Sequence, residues 1–288
     1  MNPSAEFDVI VHGATGFTGR LVAEHFAKQH PDVRWAMSGR SEGKLAAVRD
    51  EIGAPADTPL IVADADDPAS LRAMVARGKA VLTTVGPYQL YGSDLVAACA
   101  QAGTDYLDLC GEPAWMRQMI DAHERAAKAS GARIVFSCGF DSIPFELGVW
   151  CAQQEAIRQF GAPVARVKGR VRAMRGTYSG GTAASLKATM AAAARDPQVL
   201  EYLKDPFALT PDFAGPKQPH GAAVAYDEDL GAWTAPFVMA AINTRNVHRS
   251  NWLMDQPYGA DFVYDEMILT GPGEGGEKAA LEIGRAHV

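Results

Sequence analysis

The sequence has few cysteines, no long apolar run and no excess of basic residues, and each absence excludes a class of protein. Four of the 288 residues are cysteine, without a Cys-x-x-Cys pair or a Cys/His spacing typical of a metal. We therefore expect reduced thiols and no metal site. No apolar run reaches the roughly 18 residues that an integral membrane helix needs. The net charge of −7 argues against general nucleic-acid binding.

What is present is the composition of an ordinary globular protein. Hydrophobic residues make up 48% of the chain and charged residues 21%, which allows a sizeable core in one large domain or two smaller ones. Residues 1–6 contain no basic region followed by an apolar stretch, so no secretory signal is predicted. We expect a cytoplasmic protein, and the sequence leaves open whether it forms a homo-oligomer.

The first half of the chain alternates short apolar runs with stretches of helical spacing. Strands are predicted at residues 7–11, 35–37, 60–62, 80–85, 106–109 and 133–138. Helices are predicted between them at residues 17–28, 41–51, 68–76, 93–102 and 113–130. This alternation is typical of a parallel sheet with helices on both faces. The predicted fold class is α/β, with a Rossmann-type doubly wound parallel sheet over residues 1–144.

The pattern changes after Pro144, where a smaller α+β domain is predicted over residues 145–281. Helices are predicted at 145–159, 182–194 and 244–254, strands at 164–174 and 260–269, and a long loop at 206–221. The first of these strands places Arg166, Lys168, Arg170 and Arg172 on one face. Strict alternation of this kind is typical of a half-exposed strand in an antiparallel sheet.

A glycine-rich turn follows the first predicted strand and begins the first helix. Its residues are Gly13, Ala14, Thr15, Gly16, Phe17, Thr18 and Gly19. The first glycine permits a tight turn, the second lets backbone approach a pyrophosphate, and the third allows close helix packing. The N–H groups and the dipole at the helix start bind phosphate. The turn predicts a dinucleotide site; the alternative is an ordinary strand–helix turn.

The end of the second strand indicates which dinucleotide is bound. NAD enzymes usually place Asp or Glu there for the ribose hydroxyls, whereas NADP enzymes offer a cation. This chain has Ser38, Gly39 and Arg40 at that point, with Lys44 one helical turn further on. Arg40 is placed for the 2′-phosphate, with Ser38 and Lys44 as helpers, and the alternative for Arg40 is an ordinary surface arginine. The predicted cofactor is NADP(H).

Two later strand ends belong to the same crevice, because ligands of such sheets bind at the carboxyl ends of the strands. Asp64 follows the third strand and is expected on the adenine side. The segment after the fourth strand, where the nicotinamide half is expected, is Thr84, Val85, Gly86, Pro87 and Tyr88. Tyr88 suits a wall against the nicotinamide ring, and a packed loop aromatic is the equal alternative.

The catalytic pair of short-chain dehydrogenases is absent. Those enzymes combine a similar turn with Tyr-x-x-x-Lys, in which lysine lowers the pKa of the tyrosine. None of the eight tyrosines has a lysine four residues on, so that mechanism is disfavoured. His12, inside the first strand, is interpreted as a packed side chain.

Five motifs together resemble the saccharopine dehydrogenase-like oxidoreductases, specifically the branch of trans-acting enoyl reductases. The motifs are the turn at 13–19, Ser38-Gly39-Arg40, Val85-Gly86-Pro87-Tyr88, Cys138-Gly139-Phe140-Asp141-Ser142-Ile143-Pro144 and Ser179-Gly180-Gly181-Thr182. The resemblance extends to about residue 269. It implies an NADPH-dependent reductase acting on a small molecule or, in the enoyl reductase branch, on an unsaturated acyl chain made by a polyketide synthase.

Placement within these motifs provides the catalytic candidates. They are Tyr88, Asp141 and Ser142, of which the last two could orient substrate or relay a proton; the alternative for Asp141 is a helix cap. Residues 179–182 suit an anion, a carbonyl oxygen or a cap. The basic face of the 164–174 strand suits an acidic acyl-carrier partner or simple solvation.

A second class of function stays open, because the same turn would serve a catalytically silent NADP(H)-binding regulator or redox sensor.

The end of the chain provides one further expectation. Residues 282–288, read back into codons, match the start of a widely used sequencing adapter. We therefore expect a non-native tail after an incomplete substrate domain.

Overall fold

The computed structural model describes residues 5–174 and 180–285 and divides into two compact units. Among the described residues, the first unit comprises 5–139 and 180–192, and the second comprises 140–174 and 193–285. The predicted domains, 1–144 and 145–281, differ from these units mainly at one helix. That helix, at residues 180–193, belongs to the first unit although it follows elements of the second in the chain.

The first unit is built on a six-stranded sheet in which every pairing is parallel. Its strands are β1 (Phe7–His12), β2 (Trp35–Gly39), β3 (Leu60–Val62), β4 (Gly78–Thr83), β5 (Asp105–Leu107) and β6 (Ile134–Val135). The strand order β3-β2-β1-β4-β5-β6 reverses direction between β1 and β4, which is the topological switch point where dinucleotides bind. The Rossmann-type prediction is confirmed.

Helices connect these strands, and all except α4 lie where the apolar spacing predicts them. They are α1 (Phe17–Gln29), α2 (Glu42–Glu51), α3 (Pro68–Val75), the short α4 (Tyr88–Tyr91), α5 (Ser93–Ala102) and α6 (Pro113–Ser130). The Ser41 side chain caps α2 at Lys44 N (3.4 Å), and the Asp67 side chain caps α3 at Ala69 N (3.0 Å). The buried side chains of Val11, Met37 and Leu45 form a core on one face of the sheet.

The remaining elements continue in chain order. They are α7 (Ile143–Phe160), β7 (Arg166–Val171), α8 (Gly180–Ala193), α9 (Pro197–Lys204), β8 (Ala225–Asp227), β9 (Ala232–Pro236), α10 (Ala240–Leu253), β10 (Val263–Gly271) and α11 (Gly273–Arg285). All except α8 belong to the second unit, so the α+β prediction is confirmed. The loop predicted at 206–221 contains no helix or strand.

The second sheet has the order β7-β10-β9-β8 and is mixed. β10 pairs antiparallel with β9, but β7 pairs parallel with β10. The expectation that β7 belongs to an antiparallel sheet is therefore wrong. Alternation reports how a strand's two faces are buried, and an edge strand of a mixed sheet has that pattern with a parallel neighbour too.

The basic face of β7 is matched by acids within the second unit. Arg170 contacts Asp227 (Nη2–Oδ2, 3.0 Å) and Asp265 (Nη1–Oδ2, 2.8 Å). Lys168 also contacts Asp227 (3.0 Å), and Arg166 contacts Asp265 (3.0 Å). The interpretation of this face as simply solvated is wrong for these three cations, because the carboxylates pair with them across the sheet.

Two further observations complete the fold. Within residues 5–174 and 180–285, no helix combines the length and the apolar character needed to span a membrane. Residues 282–285 of the predicted non-native tail lie in the last turn of α11, and residues 286–288 lie outside the described residues. The origin of the tail stays a prediction.

Candidate functional site

The glycine-rich turn lies between β1 and α1 at the switch point of the first sheet. Gly13 adopts a left-handed φ of 87°, which glycine tolerates and other residues rarely do. The N–H groups of Gly13 and Ala14 donate to Ser38 O of β2 at 2.9 and 3.1 Å, and Gly16 N donates to Gly13 O at 2.9 Å. Backbone hydrogen bonds thus define the shape of the turn.

Gly19 permits the close approach of α1 to this turn. A Cβ atom on Gly19 would lie 2.1 Å from Gly13 O and 2.8 Å from Thr84 Oγ1. Both distances are below any van der Waals contact, so no other residue fits without displacing α1. The third glycine of the motif therefore has the packing role that the sequence assigned to it.

The start of α1 is open to an anionic ligand. Its cap residue, Gly16, has no side chain to accept from the first-turn N–H groups, which leaves those donors to solvent or ligand. Thr15, Gly16 and Phe17 are exposed, and Phe17 is 71% accessible. Thr18, the next residue, is half-buried. Uncapped donors at the positive end of a helix dipole fit the pyrophosphate of a dinucleotide.

The end of β2 presents one exposed cation and one buried hydroxyl. Arg40 is exposed beside the turn, while Gly39 is buried. Ser38 is fully buried, and its hydroxyl lies 3.1 Å from His12 Nδ1 and 3.0 Å from Met74 Sδ. Ser38 therefore supports the turn and does not offer its side chain to a phosphate. The predicted role of Ser38 as a helper of Arg40 is wrong in this respect, because the hydroxyl is buried. Burial lowers the pKa of His12 to about 4, so this side chain is neutral and packed, as predicted.

Asp64 lies directly after β3, at the same edge of the sheet. Its carboxylate accepts from Asp66 N at 3.1 Å, and its own N–H donates to Ser70 Oγ at 3.0 Å. These bonds shape the turn into α3. The Asp64 side chain is half-buried. Its position beside the adenine half of the cofactor stays a prediction.

The segment after β4 packs against the glycine-rich turn. A Cβ on Gly13 would meet Thr84 Oγ1 and Val85 Cγ2 at 2.8 Å each. The next peptide bond, Gly86-Pro87, is cis, with Gly86 exposed and Pro87 buried. The chain therefore leaves β4 in contact with the turn, where the nicotinamide half is expected to pass.

Tyr88 is the buried aromatic of this segment. Its hydroxyl donates to Thr83 O (3.3 Å) and accepts from Leu109 N (3.1 Å), and its ring stacks on Trp115 with centroids 5.8 Å apart. Burial raises the pKa of Tyr88. A buried hydroxyl with two backbone partners and a raised pKa is a poor proton donor, so the geometry favours the packed aromatic among its two interpretations.

Two buried carboxylates after β5, Asp108 and Glu112, are not among the site residues predicted from the sequence. Asp108 Oδ1 accepts from Cys110 N (2.9 Å) and Ser137 N (2.8 Å), and Oδ2 accepts from Tyr106 OH (2.9 Å). Burial raises the pKa of Asp108 to about 7. The available signal was two acids within a short apolar segment at a strand's carboxyl end, where ligands bind.

The other catalytic candidates lie in the second unit, before α7. Ser142 is the cap residue of α7 but makes no side-chain cap bond. The helix-cap interpretation of Asp141 is therefore wrong. Its backbone carbonyl accepts from Asn243 Nδ2 at 2.8 Å, and the same nitrogen donates to Glu266 Oε2 at 2.9 Å. Burial raises the pKa of Glu266 to about 7.

The remaining motif falls partly outside the described residues. Ser179 is not among them, whereas Gly180, Gly181 and Thr182 form the first turn of α8. The expected anion or cap role of this motif stays a prediction.

Comparison with known proteins adds a family to this geometry. Residues 9–135 match the saccharopine dehydrogenase NADP binding domain. A putative trans-acting enoyl reductase of Mycobacterium tuberculosis is 45% identical over 276 residues, which cover 92% of this chain and 66% of that protein. A trans-acting enoyl reductase of Mycobacterium bovis is 42% identical over 283 residues, or 94% of this chain and 68% of that protein.

Among solved structures, saccharopine dehydrogenase from Saccharomyces cerevisiae matches with a TM-score of 0.46 and 17% identity, over 57% of this chain and 34% of that chain. The chain spans 66% of the length of the Mycobacterium tuberculosis relative named above. Sequence identity to these relatives is above 40% and extends over nearly all of the chain, so it includes both units. The chain belongs to the trans-acting enoyl reductase family, with a saccharopine dehydrogenase-type NADP binding domain at its N-terminal half.

Proposed function

We propose that the chain is an NADP(H)-dependent oxidoreductase that reduces the carbon–carbon double bond of an enoyl intermediate. The observation that carries the proposal is the similarity to trans-acting enoyl reductases over 92–94% of the chain. The exposed Arg40 and the absence of an acid at the end of β2 support NADP(H) as the cofactor.

Each part of the site has a distinct task in this proposal. The uncapped N–H groups of α1 bind the pyrophosphate, Arg40 binds the 2′-phosphate, and Asp64 lies beside the adenosine. The segment 84–88 bounds the nicotinamide half, which, when bound, supplies a hydride. The catalytic acid stays open, with Asp141 and Ser142 as the proposed candidates.

The substrate and the setting are proposals of the same kind. The relatives' name, trans-acting enoyl reductase, supports an acyl chain carried by a polyketide synthase, with an acyl-carrier segment as the partner. The three cations of β7 are already paired with acids, so β7 is a poor choice for the carrier's docking surface. A cytoplasmic location stays a prediction.

Stopped-flow monitoring of NADPH oxidation with a panel of enoyl thioesters tests the reaction. We expect oxidation of NADPH that depends on the thioester's double bond, and none with the saturated analogue. Tight NADPH binding without turnover on any thioester would instead support the second class of function, a silent NADP(H)-binding regulator.

Cofactor choice is tested by Arg40→Ala. Loss of a charged hydrogen bond of roughly 1.5–3 kcal/mol predicts about 10- to 100-fold weaker NADPH binding, with NADH binding unchanged. Arg34→Ala is the matched control, because Arg34 precedes the same strand at its opposite end and contacts Asp8 at 3.0 Å. Equal weakening of NADH and NADPH by Arg40→Ala would contradict the assignment of the 2′-phosphate to Arg40.

A further inference from the structure

One buried carboxylate, that of Glu112, joins three separate segments of the first unit. Glu112 is 2% exposed and precedes α6. We propose that Glu112 is a positioning residue that holds the loop after β4 in the conformation that receives the nicotinamide half of the cofactor. The inference rests on the proposed function for the identity of that cofactor.

The first contact is with the backbone of α4. Glu112 Oε1 accepts from Tyr88 N at 3.0 Å, and Oε2 accepts from Gln89 N at 2.9 Å. Two successive N–H groups at the start of a helix are thereby satisfied by the two oxygens of one carboxylate. Since α4 directly follows Gly86-Pro87, these bonds set the direction in which the β4 segment leaves the sheet.

A second contact ties the same two loops together from the other side. The hydroxyl of Tyr88 accepts from Leu109 N at 3.1 Å and donates to Thr83 O at 3.3 Å. The loop after β4 and the loop after β5 are therefore joined at two points, the Glu112 carboxylate and the Tyr88 hydroxyl. Both points are buried, so solvent does not compete for these bonds.

The third segment is α8, which reaches the same carboxylate from 73 residues away. Ser185 Oγ donates to Glu112 Oε1 at 2.7 Å, and Gln89 Nε2 donates to Thr189 Oγ1 at 3.0 Å. None of the residues of α8 is buried, so apolar packing does little to hold this helix. Polar contacts to Glu112 and Gln89 hold it beside the β4 loop instead.

Glu112→Gln replaces the carboxylate by an amide of the same shape. It therefore changes the hydrogen bonds to α4 and leaves the packing around the side chain the same. In Glu112→Gln one oxygen becomes an NH₂ donor, which leaves a buried N–H of α4 facing another donor. That mismatch costs about 1–3 kcal/mol where the loop must be ordered. Glu112 makes none of the hydrogen bonds that join the glycine-rich turn to β2, so the site for the adenosine half is expected to keep its shape.

The test compares two ligands on the full chain. NADPH contains the nicotinamide half, whereas 2′,5′-ADP contains only the adenosine with its phosphates. For Glu112→Gln we expect about tenfold weaker binding of NADPH by calorimetry, equivalent to roughly 1.4 kcal/mol, and no change for 2′,5′-ADP. At saturation we also expect lower anisotropy of the nicotinamide fluorescence, because the ring is held less firmly.

Glu124→Gln provides the matched control. It makes the same chemical change on α6 at the pair of half-buried Glu124 with exposed Lys128 (3.3 Å), and neither ligand is expected to bind differently. If Glu112→Gln does not fold, Tyr88→Phe removes the other join between the loops and is expected to give the same selectivity, at about threefold.

The outcomes are distinguishable. Unchanged NADPH affinity and anisotropy in Glu112→Gln, or equal weakening of both ligands, would overturn the positioning role while leaving the proposed function intact. Failure of the unsubstituted chain to bind either ligand would overturn the proposed function, and the positioning role with it.

Discussion

Most buried acids of the two units have different partners; Asp105 of the first unit, which pairs with Arg133, is an exception. In the first unit, Asp108 and Glu112 accept mainly from backbone N–H groups of neighbouring loops. In the second unit, Asp227 and Asp265 accept from arginine and lysine side chains, and Glu266 accepts from the Asn243 and Tyr264 side chains. Asp108 and Glu112 therefore shape turns at the proposed cofactor edge, whereas Asp227, Asp265 and Glu266 link strands and helices.

The second unit also retains unused polar capacity. Across the described part of the chain, the buried side-chain atoms without a hydrogen-bond partner are Glu146 Oε2, Asn243 Oδ1, Arg245 Nε, His248 Nε2 and Tyr258 OH. All five belong to the second unit. An unpaired buried polar atom costs about 1–3 kcal/mol. Hydrogen bonding of buried side chains is therefore more complete in the first unit, which is proposed to bind the cofactor.

The largest expected effect tests the backbone dependence of the first unit. Gly19→Ala places a Cβ 2.1 Å from Gly13 O, so we expect loss of NADPH binding and a destabilisation of at least ~3 kcal/mol, measured by urea denaturation. Gly43→Ala in α2 is the control, because its Cβ meets nothing within 4 Å; a gain of up to ~1 kcal/mol is expected there. Normal NADPH binding by Gly19→Ala would show that the site does not depend on the close approach of α1 to the glycine-rich turn.

The next effect tests the side-chain pairing of the second unit. Asp227→Asn leaves Lys168 and Arg170 without the carboxylate they share, which is expected to cost roughly 3 kcal/mol. Asp229→Asn is its control: Asp229 contacts the same Lys168, but its side chain is 77% exposed, so less than ~0.5 kcal/mol is expected. Equal losses of unfolding free energy would show that burial does not distinguish the two acids.

The smallest effect is in pH dependence and compares the units directly. Burial raises the pKa of Asp108 and of Glu266 to about 7. A native pKa above the unfolded one means that the native state binds more protons between the two values. Each acid therefore contributes most stability below its ordinary pKa, from about 4 downwards, and loses it as pH rises to 7.

Asp108→Asn and Glu266→Gln remove these titrations with little change in shape. Each variant is expected to shrink the fall in unfolding free energy between pH 5 and pH 8, by on the order of 2 kcal/mol, in urea titrations at both pH values. Asp121→Asn, at the exposed Arg117 pair on α6, is expected to leave that fall unchanged. A variant that retains the full fall would show that its acid is ionised throughout in the native state.

Local signals located most elements of the first unit and misplaced part of the second. Asp67-Pro68 correctly marks the start of α3. The same pair occurs at Asp196-Pro197, where Asp196 caps α9 at Gln198 N (2.9 Å), but the predicted elements include no helix there. The strands β8 and β9, three and five residues long, were not predicted. Equally short strands of the first unit were predicted because they alternate regularly with helical segments.

The sequence by itself determined the parallel sheet, the glycine-rich turn and Arg40 at the end of β2, because each depends on residues close together in the chain. Periodicity, turn geometry and the lack of an acid after β2 are all local properties. Only the tertiary structure decided that Ser38 is buried, that β7 has a parallel neighbour and that Asp108 and Glu112 lie inside the protein. Burial and pairing depend on segments many residues apart, such as Ser185 and Glu112. The turn thus follows from local sequence, whereas the loops proposed to position the nicotinamide depend on distant contacts.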